Sequence, residues 1–123
     1  MINFKQLANS FRYAIKGLKY VYQHEQNFQI QIFFFLVILI LIIFLRVDMT
    51  RAAVLILVSV MVLILELLNT IAERVTDILQ PRMHHYVEII KDIMAASVLI
   101  SSSGAVVVGI LILWPYLSRL ISR

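Results

Sequence analysis

One short segment of the chain carries most of the side chains that could do chemistry. Its polar positions recur three or four residues apart, so a helix would place them within roughly an 80° arc of one face; they are Glu66, Asn69, Glu73 and Asp77. Glu66 follows directly on a long apolar run, and in a membrane span an ionisable side chain is costly and indicates function by default. Clustered carboxylates in a chain without cysteine favour a hard, oxygen-seeking ion such as Mg²⁺.

The simpler alternative is that a helix leaves the membrane at this point and that its polar residues are solvated. Arg74 and Asp77 alone would suit that interpretation. Glu66 and Asn69 suit it poorly, because leucine and isoleucine residues flank them. We therefore favour a functional role for Glu66 and Glu73, and the two interpretations stay open for Asp77.

Two other places carry polar residues that could join this cluster. Glu25 stands just before the first long apolar run, and Lys91-Asp92 stands just before the last one. A lysine that reaches a phosphate beside carboxylates that hold Mg²⁺ is a recurring combination in phosphoryl transfer. The sequence contains no G-x-x-x-x-G-K-[ST] and no G-x-G-x-x-G segment, so any nucleotide would be held without a P-loop or a glycine-rich kinase loop.

The elements that position these residues are predicted to be membrane helices. Of the 123 residues, 62% are apolar and only 15% are charged, and the mean hydropathy is +0.94, whereas a soluble domain carries about a quarter charged residues. Crossing the hydrocarbon takes about 20 helical residues. Three runs are long enough: 28–46, 51–73 with a helical continuation to about 79, and 92–114. Pro81 is expected to end the second helix, and residues 1–123 form one all-α integral membrane domain.

The first 24 residues have a different pattern. Aromatic and aliphatic residues recur at helical intervals on one face, and Lys5, Arg12 and Lys16 lie on the other. This pattern is typical of an amphipathic helix that lies in the headgroup region of a bilayer. The alternative is a soluble helix that packs on a partner.

The basic residues indicate an orientation. With the N-terminus inside, seven of the eleven Lys and Arg residues lie in the cytoplasm and four lie outside, which favours a cytoplasmic N-terminus and an outside C-terminus. The net charge of +4 therefore follows the topology and does not indicate a nucleic-acid partner. Three spans leave little interior in which to bury Glu66 and Glu73, so we expect a homo-oligomer.

Together these residues resemble the small bacterial diacylglycerol kinase family, which includes the undecaprenol kinases. The resemblance runs from about residue 11 to about residue 113. Its most specific part is the E-x-x-N-x-x-x-E-x-x-x-D spacing that begins at Glu66, joined to the later Lys91-Asp92. Three further matches are Tyr13-Ala14-Ile15-Lys16-Gly17-Leu18, Glu25-Gln26-Asn27-Phe28 at the start of the first span, and His84 before Lys91.

The resemblance implies a homotrimeric helical bundle in the bacterial cytoplasmic (inner) membrane, with one surface helix and three spans in each protomer. Active sites would lie at the cytoplasmic membrane surface between neighbouring protomers. Glu66 would be the catalytic base that takes the proton of the lipid hydroxyl, and Asn69 would help to position that hydroxyl. The other residues assigned to the lipid are Ile15 and Phe28.

The resemblance also implies ATP as co-substrate and Mg²⁺ as cofactor. Glu25 and Glu73 would hold Mg²⁺ against the ATP phosphates, and Lys91 would counter phosphate charge. The nucleotide contacts would come from these three residues and from Tyr13, Asp77, Arg82, His84 and Asp92.

The chain departs from the family pattern at several positions. Ile71-Ala72 stands where Ala-Ile is usual, which exchanges a small and a branched residue between helix faces. Gln29 replaces a commonly basic residue, Gln6 stands near a position where some members carry Arg, and Glu88 stands where a small residue is common. None of these positions has the base, metal or lysine role.

Two classes of function compete on this basis. A membrane lipid kinase would phosphorylate a lipid alcohol; diacylglycerol is the lead substrate and undecaprenol a close second, because the motifs report catalysis rather than the lipid. The alternative is a non-enzymatic membrane scaffold or transporter subunit. For that class we would expect an ionisable residue at the midpoint of a span or an internal repeat, and the sequence has neither.

The metal role of Glu73 predicts that Glu73→Gln raises the Mg²⁺ concentration needed for half-maximal activity or eliminates activity, because one anionic ligand is lost. The measurement is a Mg²⁺ titration of phosphate transfer. Glu88→Gln is the matched control and should leave the titration unchanged. An unaltered titration in Glu73→Gln would contradict the metal role.

Overall fold

The computed structural model describes residues 3–79 and 84–122, and almost all of them are helical. The four helices are α1 (Phe4–His24), α2 (Gln26–Phe44), α3 (Met49–Leu79) and α4 (His84–Ile121). Three of them, α2, α3 and α4, are long and apolar enough to cross a membrane. The predicted architecture of an N-terminal helix followed by three membrane helices is therefore confirmed. The expected end of the second helix at Pro81 lies outside the described residues.

The junction between α1 and α2 is a single residue, Glu25. Its backbone is extended, with φ −119° and ψ 107°, while its N–H still donates to the carbonyl of Val21 at 2.9 Å. One extended residue between two helices changes the direction of the chain without a loop. Glu25 is the N-cap residue of α2, but its side chain makes no capping hydrogen bond, so the carboxylate is available for contacts with other helices.

Helix α3 is the centre of the protomer. It packs against both α2 and α4, whereas α1 packs on α2. Most of the buried residues belong to α3, and they include polar ones: Ala52, Leu55, Val62, Glu66, Asn69, Thr70 and Thr76. Many large apolar side chains on α2 and α4 remain exposed, such as Ile40, Ile43 and Leu111. In a membrane helix these exposed faces meet lipid or other membrane helices.

Helix α4 is longer than the predicted span. The apolar run was expected to end at Trp114, but the helix begins at His84 and continues through Pro115 to Ile121. Proline removes one backbone donor and clashes with the preceding turn. Membrane helices nevertheless tolerate internal proline when neighbouring groups satisfy the freed carbonyl, which for Pro115 is that of Leu111. One turn further on, the Ser118 hydroxyl donates to the carbonyl of Pro115 at 3.2 Å.

The turn between α2 and α3 is closed by backbone hydrogen bonds. Val47 N–H donates to the carbonyl of Ile42 at 3.0 Å, and Arg46 N–H donates to that of Ile43 at 3.3 Å. This is the Schellman pattern that ends many helices, and it places one residue in the left-handed region. That residue is Arg46, with φ 52°, where glycine would be the unstrained choice.

Asp48 and Tyr116 join the two helix ends on this side of the protomer. One carboxylate oxygen of Asp48 accepts from the N–H of Arg51 at 3.2 Å and so caps α3. The other accepts from the Tyr116 hydroxyl of α4 at 2.8 Å. These two donors, the hydroxyl foremost, hold the pKa of the Asp48 carboxyl below its ordinary value.

This contact predicts a pH-dependent contribution to stability. Because the pKa of Asp48 is lowered in the folded protein, the contribution is present above the ordinary value of 3.8 and is lost as the pH falls through the folded-state pKa. We expect Tyr116→Phe to lower the melting temperature slightly at pH 7, since the contact is exposed. The difference should vanish at strongly acidic pH.

The measurement is thermal unfolding of the micellar protein at several pH values. Tyr86→Phe is the matched control on the same helix, because Tyr86 is exposed and is not in contact with Asp48. A melting-temperature difference that is the same at pH 7 and pH 3 would contradict the assignment to Asp48.

Candidate active site

The predicted polar face of α3 is present and lies against the other helices. Glu66 is only 2% exposed, and Asn69 is also buried. Glu73 is half-buried and Asp77 is exposed. The face therefore passes from the interior of the protomer to its surface along the helix.

Distance along α3 relates this face to the bilayer. At about 1.5 Å per residue, Glu66 lies about 26 Å from Met49 and Glu73 about 36 Å from it. The hydrocarbon core of a bilayer is about 30 Å thick. With the start of α3 at one boundary, Glu66 is near the opposite boundary and Glu73 is in the headgroup region. A group at Glu66 can meet a lipid while a group at Glu73 meets a water-soluble molecule.

The contact partner of Glu66 was not predicted. Gln31 of α2 donates its Nε2–H to Oε2 of Glu66 at 3.0 Å. The sequence carries one signal for this contact, since Gln31 is one of two polar residues in the first apolar run. On α3 itself, the Thr70 hydroxyl donates to the backbone carbonyl of Glu66 at 3.0 Å.

Asn69 and Glu73 form the next pair along the face. Nδ2 of Asn69 donates to Oε1 of Glu73 at 3.0 Å. The other amide atom, Oδ1 of Asn69, is buried and has no hydrogen-bond partner among the described residues. Glu66, Asn69 and Glu73 on α3 form a cluster of polar side chains, and Glu25 at the start of α2 joins it through a contact with Arg74 of α3.

Glu25 makes an ion pair with Arg74, for which the sequence suggested only a solvated position at the end of a span. Nη2 of Arg74 donates to Oε1 of Glu25 at 2.8 Å, and the guanidinium lies 5.8 Å from the ring centroid of Tyr20. Arg74 thus connects α3 to the end of α1 and to the junction residue. The signal for this role was weak, because a charged residue at the end of a span is usually an interfacial one.

Lys91 and Asp77 make the second ion pair of the site. Nζ of Lys91 donates to Oδ1 of Asp77 at 2.6 Å and links α4 to α3. Both side chains are partly exposed, so the pair contributes little to stability and both partners remain accessible to a ligand.

The other predicted nucleotide residues are not brought into this cluster. Tyr13, His84 and Asp92 are exposed, and none of them makes a side-chain hydrogen bond to the cluster within the described ranges. The Tyr13 ring instead lies 5.9 Å from Nζ of Lys16. Arg82 lies outside the described residues.

The two remaining lipid residues differ in burial. Ile15 is exposed on α1, while Phe28 is only 2% exposed. Phe28 therefore packs inside the protomer, and its side chain supports the start of α2. Gln29, one of the departures from the family pattern, donates to the carbonyl of Tyr22 at 2.7 Å and so connects α2 to the end of α1.

The carboxylates can be compared with what Mg²⁺ requires. Within residues 3–79 and 84–122, no group of three or more His, Cys, Asp and Glu side chains is arranged to hold a metal ion. Mg²⁺ commonly uses only one or two carboxylates together with substrate phosphates and water. Glu25 and Glu73 each use one oxygen in a contact with a neighbour, and the second oxygen of each remains for a cation. Each of the two carboxylates is therefore chemically suited to a metal that arrives with its phosphates.

A cleft lies between α2, α3 and α4. Its volume is about 380 Å³, and its lining includes Gln31 of α2 and Trp114 of α4. Most of the lining is apolar, including Phe35, Leu55 and Val62. Gln31, which contacts Glu66, is among the residues that line the cleft, and an apolar cleft of this volume is of a size that takes small organic ligands.

Comparisons with known proteins identify the family of the chain. Residues 12–113 match the prokaryotic diacylglycerol kinase family. A diacylglycerol kinase from Synechocystis sp. is 39% identical over 117 residues, which are 94% of this chain and 67% of that protein. The chain belongs to the prokaryotic diacylglycerol kinase family and is a lipid kinase of the bacterial membrane.

Proposed function

We propose that this protein transfers the γ-phosphoryl group of ATP to the hydroxyl of diacylglycerol and so produces phosphatidic acid. The observation that carries the proposal is the buried carboxylate of Glu66 on the central helix, next to an apolar cleft. A carboxylate in that position can take a proton from a hydroxyl that approaches from the lipid side. Family membership sets aside the alternative of a non-enzymatic scaffold or transporter subunit.

The proposed reaction is a direct phosphoryl transfer in which Glu66 accepts the proton of the lipid hydroxyl. The hydroxyl oxygen of the lipid attacks the γ-phosphorus, its proton passes to Glu66, and ADP leaves with the bridging oxygen. Asn69 orients the reacting hydroxyl, and its buried Oδ1, which has no hydrogen-bond partner among the described residues, is an acceptor for that role. Phosphoryl transfer needs mainly in-line positioning and charge neutralisation, so a few fixed side chains are sufficient.

The nucleotide belongs on the water side of the face. Glu25 and Glu73 would hold Mg²⁺, which when bound neutralises charge on the phosphates. Arg74 is paired with Glu25 and Lys91 is paired with Asp77, so both supply positive charge at this end of the polar face. The other residues assigned to the nucleotide are Tyr13, Asp77, Arg82, His84 and Asp92.

We further propose a homotrimer in the cytoplasmic membrane with sites between protomers, a cytoplasmic N-terminus and an outside C-terminus. The exposed apolar faces of α2 and α4 support association. Exposure of Tyr13 and His84 away from the carboxylates is consistent with a site that a neighbouring copy completes. The excess of basic residues on one side supports the orientation.

The substrate is tested by phosphate transfer from γ-labelled ATP in mixed micelles, with diacylglycerol and undecaprenol offered separately. We expect label in diacylglycerol, and loss of the label in Glu66→Gln because the amide cannot take the proton. Glu88→Gln is the matched control and should transfer phosphate normally. Label in undecaprenol alone would replace the proposed substrate with the polyprenol, and full activity in Glu66→Gln would remove Glu66 as the base.

The role of Lys91 is tested separately. Lys91→Gln removes a positive charge next to the phosphates, so we expect the KM for MgATP to rise by about tenfold or more while the KM for lipid stays constant. Arg119→Gln, at the opposite end of the same helix, is the matched control and should not change either constant. An unchanged KM for MgATP in Lys91→Gln would contradict the phosphate contact.

A further inference from the structure

Gln31 is one of the few polar residues that line the apolar cleft. It lies on α2, lines the cleft, and donates from Nε2 to Oε2 of Glu66 at 3.0 Å. Its other amide atom, Oε1, is buried and accepts no hydrogen bond from any residue that the structure describes. A buried carbonyl oxygen without a donor costs free energy, so the unused acceptor calls for an explanation.

The chemistry of the carboxylate next to it supplies one. An ionised glutamate only accepts hydrogen bonds, whereas a protonated glutamate also donates one. The base of a kinase passes between these two forms in each reaction cycle. A partner in a dry environment must therefore be a donor before proton transfer and an acceptor after it, because an unpaired buried polar group is costly in either form.

A carboxamide meets both requirements with one side chain. Rotation of the terminal amide of Gln31 by about 180° exchanges Nε2 and Oε1, and this terminal torsion is broad and roughly two-fold in side chains of this type. In the present arrangement Nε2 faces Glu66 and Oε1 is unpaired, which is the arrangement expected for the ionised base. In the rotated arrangement Oε1 would accept from the protonated base.

We infer that Gln31 is the positioning residue of Glu66 and hydrogen-bonds it in both protonation states, by donating to the carboxylate before phosphoryl transfer and accepting from the carboxylic acid after it. The inference rests on the proposed function. In the step itself the O–H bond of the lipid breaks, its oxygen bonds to the γ-phosphorus, the bond to ADP breaks, and the proton resides on Glu66. The Glu66 O–H then donates to Oε1 of Gln31 until the proton leaves to water.

A purely structural role for Gln31 predicts something different. In that case any side chain of similar volume would serve, and the hydrogen-bonding character of the replacement would not matter. The two roles separate in a pair of variants. Gln31→Met keeps a similar length without strong hydrogen bonding, and Gln31→His keeps a group that has both a donor and an acceptor.

The experiment measures kcat and the KM values for MgATP and lipid in the full protein in mixed micelles. We expect Gln31→Met to lower kcat by about tenfold or more, as the loss of a hydrogen bond to a charged group would, with the KM for MgATP unchanged. Gln31→His should retain kcat within about threefold. Gln29→Met is the matched control, because Gln29 lies two residues away and contacts Tyr22 instead, and it should retain kcat.

The outcomes separate this inference from the proposed function. Transfer by the unaltered protein that is lost in Glu66→Gln establishes the function first, and absence of transfer to any lipid alcohol overturns both. In an active background, a Gln31→Met variant with full kcat overturns the role of Gln31 alone. Equal losses of kcat in Gln31→His and Gln31→Met also overturn it, because a donor and acceptor would then confer no advantage.

Discussion

The structure depends on one constraint: a carboxylate at the depth of the membrane boundary needs hydrogen-bond donors from the protein. Water is scarce there, and an unpaired charge would cost several kcal/mol or change its protonation. Glu66 meets the constraint because α3 is the central helix and α2 brings Gln31 to within 3.0 Å. The packing of α2 on α3 therefore serves the site as much as the stability of the protomer.

The same principle shapes the water side of the cluster. Carboxylates there are paired with cations that are themselves accessible, Glu25 with Arg74 and Asp77 with Lys91. Each pair joins two parts of the chain: Glu25 with Arg74 links the α1–α2 junction to α3, and Lys91 with Asp77 links α4 to α3. Because these pairs are partly exposed, their exchange for a ligand costs little. A tightly buried pair would resist such an exchange.

The sequence predicts those features of the fold and site that depend on local patterns of residues. The hydropathy runs identify three membrane helices, and the three- and four-residue spacing places Glu66, Asn69 and Glu73 on one face, as the structure shows. Contacts between helices depend on how side chains interlock across them, and no local pattern reports that. The contact between Gln31 and Glu66 spans 35 positions, and the one between Glu25 and Arg74 spans 49. The hydropathy run marks only the apolar part of α4, and the helix continues beyond it through Pro115 to Ile121.

The single-residue junction at Glu25 has a mechanical consequence. Helix α1 has 21 residues and is about 30 Å long, so a small change of angle at Glu25 moves the far end of the helix by several ångströms. A tilt of about 10° would move the far end of α1 by about 5 Å for a helix of that length, while the Glu25 carboxylate at the junction would hardly move. Arg74 contacts both Tyr20 and Glu25 and so holds α1 close to this junction. A tilt of α1 about this junction would therefore displace mainly its N-terminal end and leave the positions of the carboxylates nearly unchanged.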